Sequence, residues 1–526
     1  MYVSHVHLDN IRSFQKLEFD LGHSPDAQGK VSHAGWVVFV GDNGSGKSTL
    51  LKAIAAGLLR QKYLDVLEPN LKKWLRERAH KGRFDLFLVR QTDDDCFEKQ
   101  KQFPAEALLW SAGIALSSNI DVSDEERERL DPLIQALEND DNSTLDKFAR
   151  NLARYSTRIV TTSNPDELKK LGELGGQLFS LPDDAIKISL STVKDLINHN
   201  EEIKKIEDDM YVELCGNTHA LAVFAGIVAV ANGPLSEHST GWFSCGYGPF
   251  RRVFGASQEA LQLMTGEVVE RFATLFNEAA SLYEADRWLR DLKYKALEGN
   301  AAAKQQLDVV LELLRDEFMP NQITLKEVNS DGLWLEDRNG TRLAWRDMSD
   351  GYRAALALLC DILRHLIRKF GVEGLTARNA EGHLYVTRSG VVLIDEVDAH
   401  LHPEWQRKIS GWLKGHFPNI QFLVTTHSPL ICQEADKIFV LPAPGSDDKP
   451  FALSAEEYLQ VVASKSDAVL RSSAFGLDNT RSETAVKKRS QYSRLRSKQR
   501  AGATLSDAEQ AELTELQAFV DADADN

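Results

Sequence analysis

Apolar positions recur along this chain in two rhythms, and the switches between them mark out its parts. Residues 1–22 alternate apolar and polar in MYVSHVHLDN and again around LEFDL, with IRSF between. That period of two predicts two edge-type strands joined by a short turn. After the loop-like HSPDAQGKVSHAG, Trp36 to Val40 reads WVVFV, a short β-rich run. From Gln61 to about Arg83 the pattern is helical and charged, and RFDLFLVRQ predicts a strand ending at Gln91. Residues 100–320 read as mainly helical, with segments such as SDEERERLDPLIQALE and ELKKLGELGGQLF, but without the sustained heptads of a long coiled coil. VVERFATLFNEAASLYEADRWLRDLKYKALE and KQQLDVVLELLRDEF predict two amphipathic helices.

At Gln322 the period returns to two. ITLKEV, GLWLED and RLAWRD, separated by NSDG and DRNG, predict a three-stranded meander. MSDGYRAALALLCDILRHLIRK then reads as an apolar helix, and GVEGLTARNAEGHLYVTRSG as a linker. Val391 to Ile394 is apolar at four consecutive positions, which predicts a strand buried on both faces inside a parallel sheet. HPEWQRKISGWLKGHF predicts a helix, IQFLVTTHSPL a second buried strand and KIFVL a short one. The expected fold is α/β, a mixed sheet with helices. Its expected divisions are 1–100, a helical insertion at 101–320, a return to the sheet domain at 321–445, and a basic helical extension at 446–526.

The chemistry sits at the ends of the buried strands. WVVFV runs into GDNGSGKSTLLKAIAAGLL, where Gly41 to Ser48 fits G-x-x-x-x-G-K-[ST]. Gly41, Gly44 and Gly46 let the backbone of Asp42, Asn43, Ser45 and Thr49 wrap a phosphate with its N–H groups. Lys47 matches the β/γ-phosphates, the Ser48 hydroxyl matches Mg²⁺, and the helical spacing of Leu50, Leu51, Ile54 and Leu58 puts the anion at a helix N-terminus. VVLIDEVDAHLHP ends its strand in Asp395 and Glu396, carboxylates able to reach hydrated Mg²⁺ and an attacking water. His427 ends the other buried strand, within reach of a γ-phosphate. Gln91 is a candidate for sensing Mg²⁺ and that water. Ser349 and Gly351 head a helix and form a second anion site. Arg251 and Arg252, in the Gly/Pro-rich GYGPFRRVFG, fit either a phosphate contact or a structural turn.

Composition narrows the setting. The 526 residues exceed one ordinary core, and 43% hydrophobic with 27% charged residues is usual for a soluble globular chain. A formal net charge of −16 argues against coating nucleic acid or anionic membrane over the whole surface. No apolar run approaches the ~18 residues of a membrane span, and MYVSHVHLDN lacks the make-up of a signal peptide. Five scattered cysteines without metal-ligand spacing read as reduced thiols, so a cytoplasmic setting is expected. Arg481 to Arg500 is strongly basic with a single acid, suited to nucleic acid, to a partner protein, or simply to a solvated helix face.

In order, GDNGSGKST, MSDGYR, VVLIDEVDAHLHP and TTHSP resemble the Walker A, signature, Walker B/D-loop and His-switch motifs of ABC-type ATPases. DNIRSF and the LHP after the acidic pair are similar to the soluble RecF/SMC/OLD branch. YGPFRR and the closing AFGLDNTRSE…YSRLRSKQRAGATLSDAEQAEL are similar to ATPases of bacterial anti-phage operons, the PtuA ATPases of Septu systems among them, which work beside an HNH nuclease. The resemblance covers about 1–60 and 320–445. It implies ATP and Mg²⁺ as cofactors, Lys47 and Ser48 on phosphate and metal, and Asp395 on Mg²⁺ through water. It also implies that Glu396 orients the attacking water and that His427 contacts the γ-phosphate. Ser349 and Gly351 would bind ATP held by a second subunit, making a head-to-head homodimer or a higher oligomer. No nuclease module follows these motifs, so intrinsic nuclease activity is not expected. One departure is plain: SDGY stands where transporters have SGGQ, which puts Asp350 near a phosphate.

Overall fold

The computed structural model describes residues 2–89, 109–117, 242–251 and 266–521, apart from 22, 26–30, 34, 60, 78, 80, 283–284, 317, 320–321 and 447. Strands β1 (Tyr2–Ile11) and β2 (Phe14–Asp20) pair antiparallel around a tight turn in which Arg12 takes a φ of 46°. The short hairpin β3 (His23–Pro25) and β4 (Val31–His33) leads into β5 (Trp36–Val40), helix α1 (Lys47–Gly57) and helix α2 (Gln61–Leu67). A 3-10 turn at Leu71–Trp74 follows, so the stretch expected to be helical to Arg83 is helical only in part. β6 (Lys81–Val89) and β7 (Leu109–Ser117) complete a four-stranded sheet in the order β2-β1-β6-β7. β1 is therefore interior, not an edge. Its alternation reflects one face packed on the core, which an interior antiparallel strand shares with an edge strand.

β7 and β8 (Trp242–Tyr247) fall within the segment expected to be mainly helical, and both are sheet strands. The rest of 118–241 lies outside the described residues. The first predicted amphipathic helix is three pieces: α3 (Glu267–Glu270), α4 (Ala273–Phe276) and α5 (Ala285–Leu297). Asn277 breaks it, because its side-chain oxygen accepts the Ala279 N–H at 2.8 Å and offers the backbone a turn in place of the helix bond. α6 (Ala301–Arg315) is a single capped helix, with Asn300 accepting from the Ala303 N–H.

The meander forms as expected from β9 (Thr324–Asn329), β10 (Gly332–Glu336) and β11 (Arg342–Ala344). α7 (Asp350–Phe370) follows and ends at Gly371, whose φ of 74° suits glycine. The expected linker contains a hairpin, β12 (Thr376–Arg378) with β13 (Leu384–Val386), turned by Asn379, whose side chain accepts the Glu381 and His383 N–H groups. β14 (Ser389–Ile394), α8 (Pro403–His416), β15 (Ile420–Thr425), α9 (Pro429–Cys432), β16 (Lys437–Val440) and β17 (Phe451–Ala452) complete the second sheet. α10 (Ala455–Ala463), α11 (Ser466–Leu470), α12 (Glu483–Arg500) and α13 (Asp507–Asp521) form the C-terminal extension.

The six-stranded sheet runs β17-β16-β5-β15-β14-β8, and all its pairings except β16–β17 are parallel. Its apolar runs are continuous because both faces are covered. Trp36, Val38, Val40, Val392, Ile394, Phe422 and Val424 point into a core with α5, α6, α7 and α8. Val37, Phe39, Val391, Leu393 and Leu423 point the other way, onto α1 and the four-stranded sheet. Gln421 joins the two sheets, accepting the Val3 N–H at 2.8 Å and donating to the Val3 carbonyl at 3.0 Å. The result brings the C-terminal ends of β5, β15, β14 and β8 side by side, the edge at which parallel α/β sheets bind ligands.

Candidate functional site

The loop after β5 turns through Gly44 and Gly46 at φ of 82° and 95°, which side-chain-bearing residues rarely adopt. A Cβ at Gly46 would also lie 2.5 Å from the Phe14 ring, so β2 fixes the loop from outside. Gly46 caps α1 with no side-chain acceptor, and no acidic residue stands in the first turn. The N-terminus of α1 thus presents N–H donors to an anion. Lys47 is buried, and its ammonium folds back on the Gly41 and Asp42 carbonyls at 2.9 Å each. Burial lowers its pKa, while the charges of Asp395, Glu396, Asp42 and Asp398 oppose that shift. Ser48, Asp42, Asn43 and Gly44 are exposed along the loop; Ser45 is buried with an unpartnered hydroxyl.

Asp395 directly follows β14, at 1% exposure. Its N–H donates to the Tyr247 carbonyl at 2.8 Å, and one carboxylate oxygen accepts the Thr425 hydroxyl at 2.5 Å. The other oxygen, Oδ2, is buried with no partner among the described residues. A buried carboxylate oxygen is costly to leave so, and the chemistry that satisfies it is a cation or a metal-bound water. The exposed Ser48 hydroxyl at the head of α1 is a second oxygen that could hold a cation, and no cluster of three metal-ligating side chains occurs among the described residues. That donor set fits Mg²⁺, which binds through one or two protein oxygens with the rest of its shell from phosphate and water.

Glu396 follows at a φ of 47°, a left-handed backbone that costs a non-glycine residue about 1–2 kcal/mol. It is gripped from both sides. Its N–H donates to Thr425 Oγ1 at 2.7 Å, and its carbonyl accepts from the Arg251 guanidinium at 2.9 Å. Next, Asp398 accepts the Thr426 hydroxyl and, at 3.3 Å, the His427 N–H, which ties the segment after β14 to the end of β15. The His427 side chain is exposed at that edge.

Ser349 is exposed at the head of α7, where its hydroxyl caps nothing. Gly351 packs directly on the backbone, since a Cβ there would lie 2.2 Å from the His400 carbonyl oxygen. The head of α7 and the segment 396–401 therefore form one surface of the same chain. Asp350 pairs with Arg353 one turn on, which balances the carboxylate that SDGY introduces. Deeper in α7, burial alone would raise the Asp361 carboxyl, but His365 and Arg364 overcome it and hold the group well below the usual range. Arg364 also reaches Glu270 at 2.7 Å, and the Tyr247 hydroxyl donates to Asp361 at 3.1 Å.

Two side chains that grip the acidic turn carry no site role in the sequence reading. Thr425 stands there only as part of TTHSP. Arg251, a phosphate contact or a structural turn by sequence, plays a structural part: it is buried, with its guanidinium on the carbonyls after β14. Burial pulls its pKa down to about 10 against Asp395, Asp398 and Glu396, so it stays charged at neutral pH. Gln91 and Arg252 lie outside the described residues.

The glycine loop at a helix N-terminus, with the buried lysine and the acidic pair after a parallel strand two places along the sheet, is the arrangement of a P-loop nucleotide-binding domain. Sequence comparison agrees on both halves. Residues 5–65 match a family model described as "AAA domain", and residues 266–433 one described as "AAA domain, putative AbiEii toxin, Type IV TA system". The chain is 39% identical over 119 residues to the Retron Ec83 probable ATPase of Escherichia coli, covering 23% of this chain and 20% of that protein. It is 44% identical over 84 residues to the Septu protein PtuA of Bacillus mycoides, covering 16% and 10%. Both alignments therefore take in a minor part of those relatives. Among solved structures, an Smc head bound to the C-winged helix domain of ScpA is similar at 14% identity and a TM-score of 0.36, covering 87% of this chain and 99% of that one. Among the described residues no helix is long and apolar enough to cross a membrane.

Proposed function

We propose that the chain binds and hydrolyses MgATP between two copies of itself, and that the cycle controls a nucleic-acid-directed activity. The observation that carries this is the buried, unpartnered Asp395 Oδ2 at the same sheet edge as Lys47 and Glu396. Lys47 leaves the Gly41 and Asp42 carbonyls for the β/γ-phosphates, while the loop N–H groups and Gly46 to Thr49 hold the rest of the phosphate chain. Ser48 and Asp395 would hold Mg²⁺, which, bound with the nucleotide, would supply charge neutralisation at the transferring phosphoryl group. Glu396 accepts a hydrogen bond from the attacking water and aims it in line. His427 donates to the γ-phosphate.

Ser349 and the Gly351 backbone close the site from a second subunit. The exposed, uncapped head of α7 supports that role, and Asp350 is charge-balanced by Arg353. The similarity to retron and Septu ATPases favours anti-phage defence in the cytoplasm, with cleavage performed by a partner such as an HNH nuclease. Buried, free Cys245, Cys360 and Cys432 fit a reducing compartment. A second reading, direct DNA binding of RecF type, draws on the basic helix α12.

Glu396→Gln tests the core of the proposal. Removing a general base costs about 10²–10⁴-fold in turnover, so hydrolysis should collapse while ATP-bound dimers accumulate. Hydrolysis at the wild-type rate would take Glu396 out of the mechanism.

A further inference from the structure

We infer that Arg251 is a positioning residue for the hydrolytic site, acting through the backbone of Asp395 to Ala399; the inference rests on the ATPase reading above. Its guanidinium donates to the carbonyls of Asp395 at 2.8 Å, Glu396 at 2.9 Å and Ala399 at 3.3 Å, with longer approaches to Gly248 and Val397 at 3.5 Å. A buried arginine normally lies against a carboxylate in a two-pronged ion pair. This one is spent on main-chain oxygens, and its planar fork spans the turn that follows β14.

The turn needs such a clamp. Glu396 at φ 47° and His400 at φ 66° are both left-handed and neither is glycine, so the turn holds only if surrounding contacts over-determine it. Thr425 holds the Glu396 N–H and Arg251 holds its carbonyl, which fixes the peptide planes on both sides of that Cα. The direction of the Glu396 carboxylate is thereby set by two residues that need not touch the nucleotide. The origin of Arg251 matters as well. It lies four residues past Tyr247, which accepts the Asp395 N–H and whose hydroxyl bonds Asp361 of α7. The segment 247–251 thus meets both the acidic pair and the helix headed by Ser349, and any displacement of it reaches the Glu396 turn directly.

The test uses the full chain with Arg251→Lys, which keeps charge and stem but loses the fork. A misplacement on the order of 1 Å costs up to about 100-fold in rate, so kcat should fall roughly 10- to 100-fold while the affinity of nucleotide-free protein for ATP stays within about twofold. In a Glu396→Gln background, single-turnover measurement should find no further loss from Arg251→Lys, because the residue it positions is already gone. Equal losses in both backgrounds would overturn the inference. Hydrogen exchange supplies a readout that does not depend on hydrolysis. The amides of residues 396–401 should exchange faster in Arg251→Lys while those of α1 remain protected. Unchanged exchange at 396–401, or faster exchange throughout, would overturn the clamp; a wild-type chain without turnover but with the local exchange effect would overturn the ATPase reading alone.

Discussion

Gly351→Ala isolates the contact between the head of α7 and the turn after β14. An alanine Cβ would lie 2.2 Å from the His400 carbonyl oxygen, below the 3.0 Å floor of real Cβ contacts, so the two backbones must part by about 0.8 Å. Neither side yields cheaply. α7 is buried along most of its length, and His400 sits in a left-handed conformation within the turn that carries Glu396. Overpacking of this kind costs about 1–3 kcal/mol, and the better helix propensity of alanine returns up to about 1 kcal/mol of it. Function should suffer more than stability, since a shift approaching 1 Å at a reacting group costs up to about 100-fold. The prediction is a turnover loss of roughly 10- to 100-fold in a phosphate-release assay with ATP affinity little changed, together with a modest fall in melting temperature. Gly411→Ala in α8, where an added Cβ meets nothing within 4 Å, serves as the control and should keep both values. If Gly351→Ala matches wild type in turnover and melting, the close approach to His400 is not why a glycine stands there.

Acid should weaken the fold partly through Asp361. Its carboxyl titrates below the ordinary 3.8 when folded, so its contribution is complete above that value and is lost as pH falls toward the folded value. Asp361→Asn should flatten the acid side of the stability profile and, by leaving Arg364 with one fewer partner, cost on the order of 3–5 kcal/mol at neutral pH. A profile as steep as wild type would remove Asp361 from acid unfolding. For the extension, Lys487 and Arg494 are exposed on α12, whereas Arg496 bonds Tyr492, Gln499 and Gln517 and pins α12 to α13. Reversing Lys487 and Arg494 should weaken binding to duplex DNA and lower its salt slope by about two, and unchanged binding would make α12 a solvated face.

How much of this was legible in the sequence follows from the range of the interactions. GDNGSGKST, VVLIDEVD and TTHSP are local: each is a strand end with its chemistry attached, and the sheet order β5-β15-β14 places them together. The meander was equally local, since NSDG and DRNG name their own turns. WFSCGY was missed because Ser244 and Gly246 interrupt the continuous apolar run that marks β14, and nothing nearby marks it as a neighbour of β14. The break at Asn277 and the hairpin at Asn379 turn on a single side chain accepting backbone N–H groups, a choice that helical or loop-like composition hides. Arg251 was singled out, but its role depends on carbonyls 144 to 148 residues away.

The central claim, that each ATP site is shared by two subunits, is tested most directly by mixing Lys47→Ala chains with Ser349→Arg chains. Each mixed dimer then carries one site with an intact Lys47 loop facing an intact Ser349, and random pairing of equal amounts should recover about a quarter of wild-type hydrolysis. That recovery, from two chains each inactive alone, is the predicted result. No hydrolysis at any mixing ratio, with mixed dimers shown to form, would contradict it.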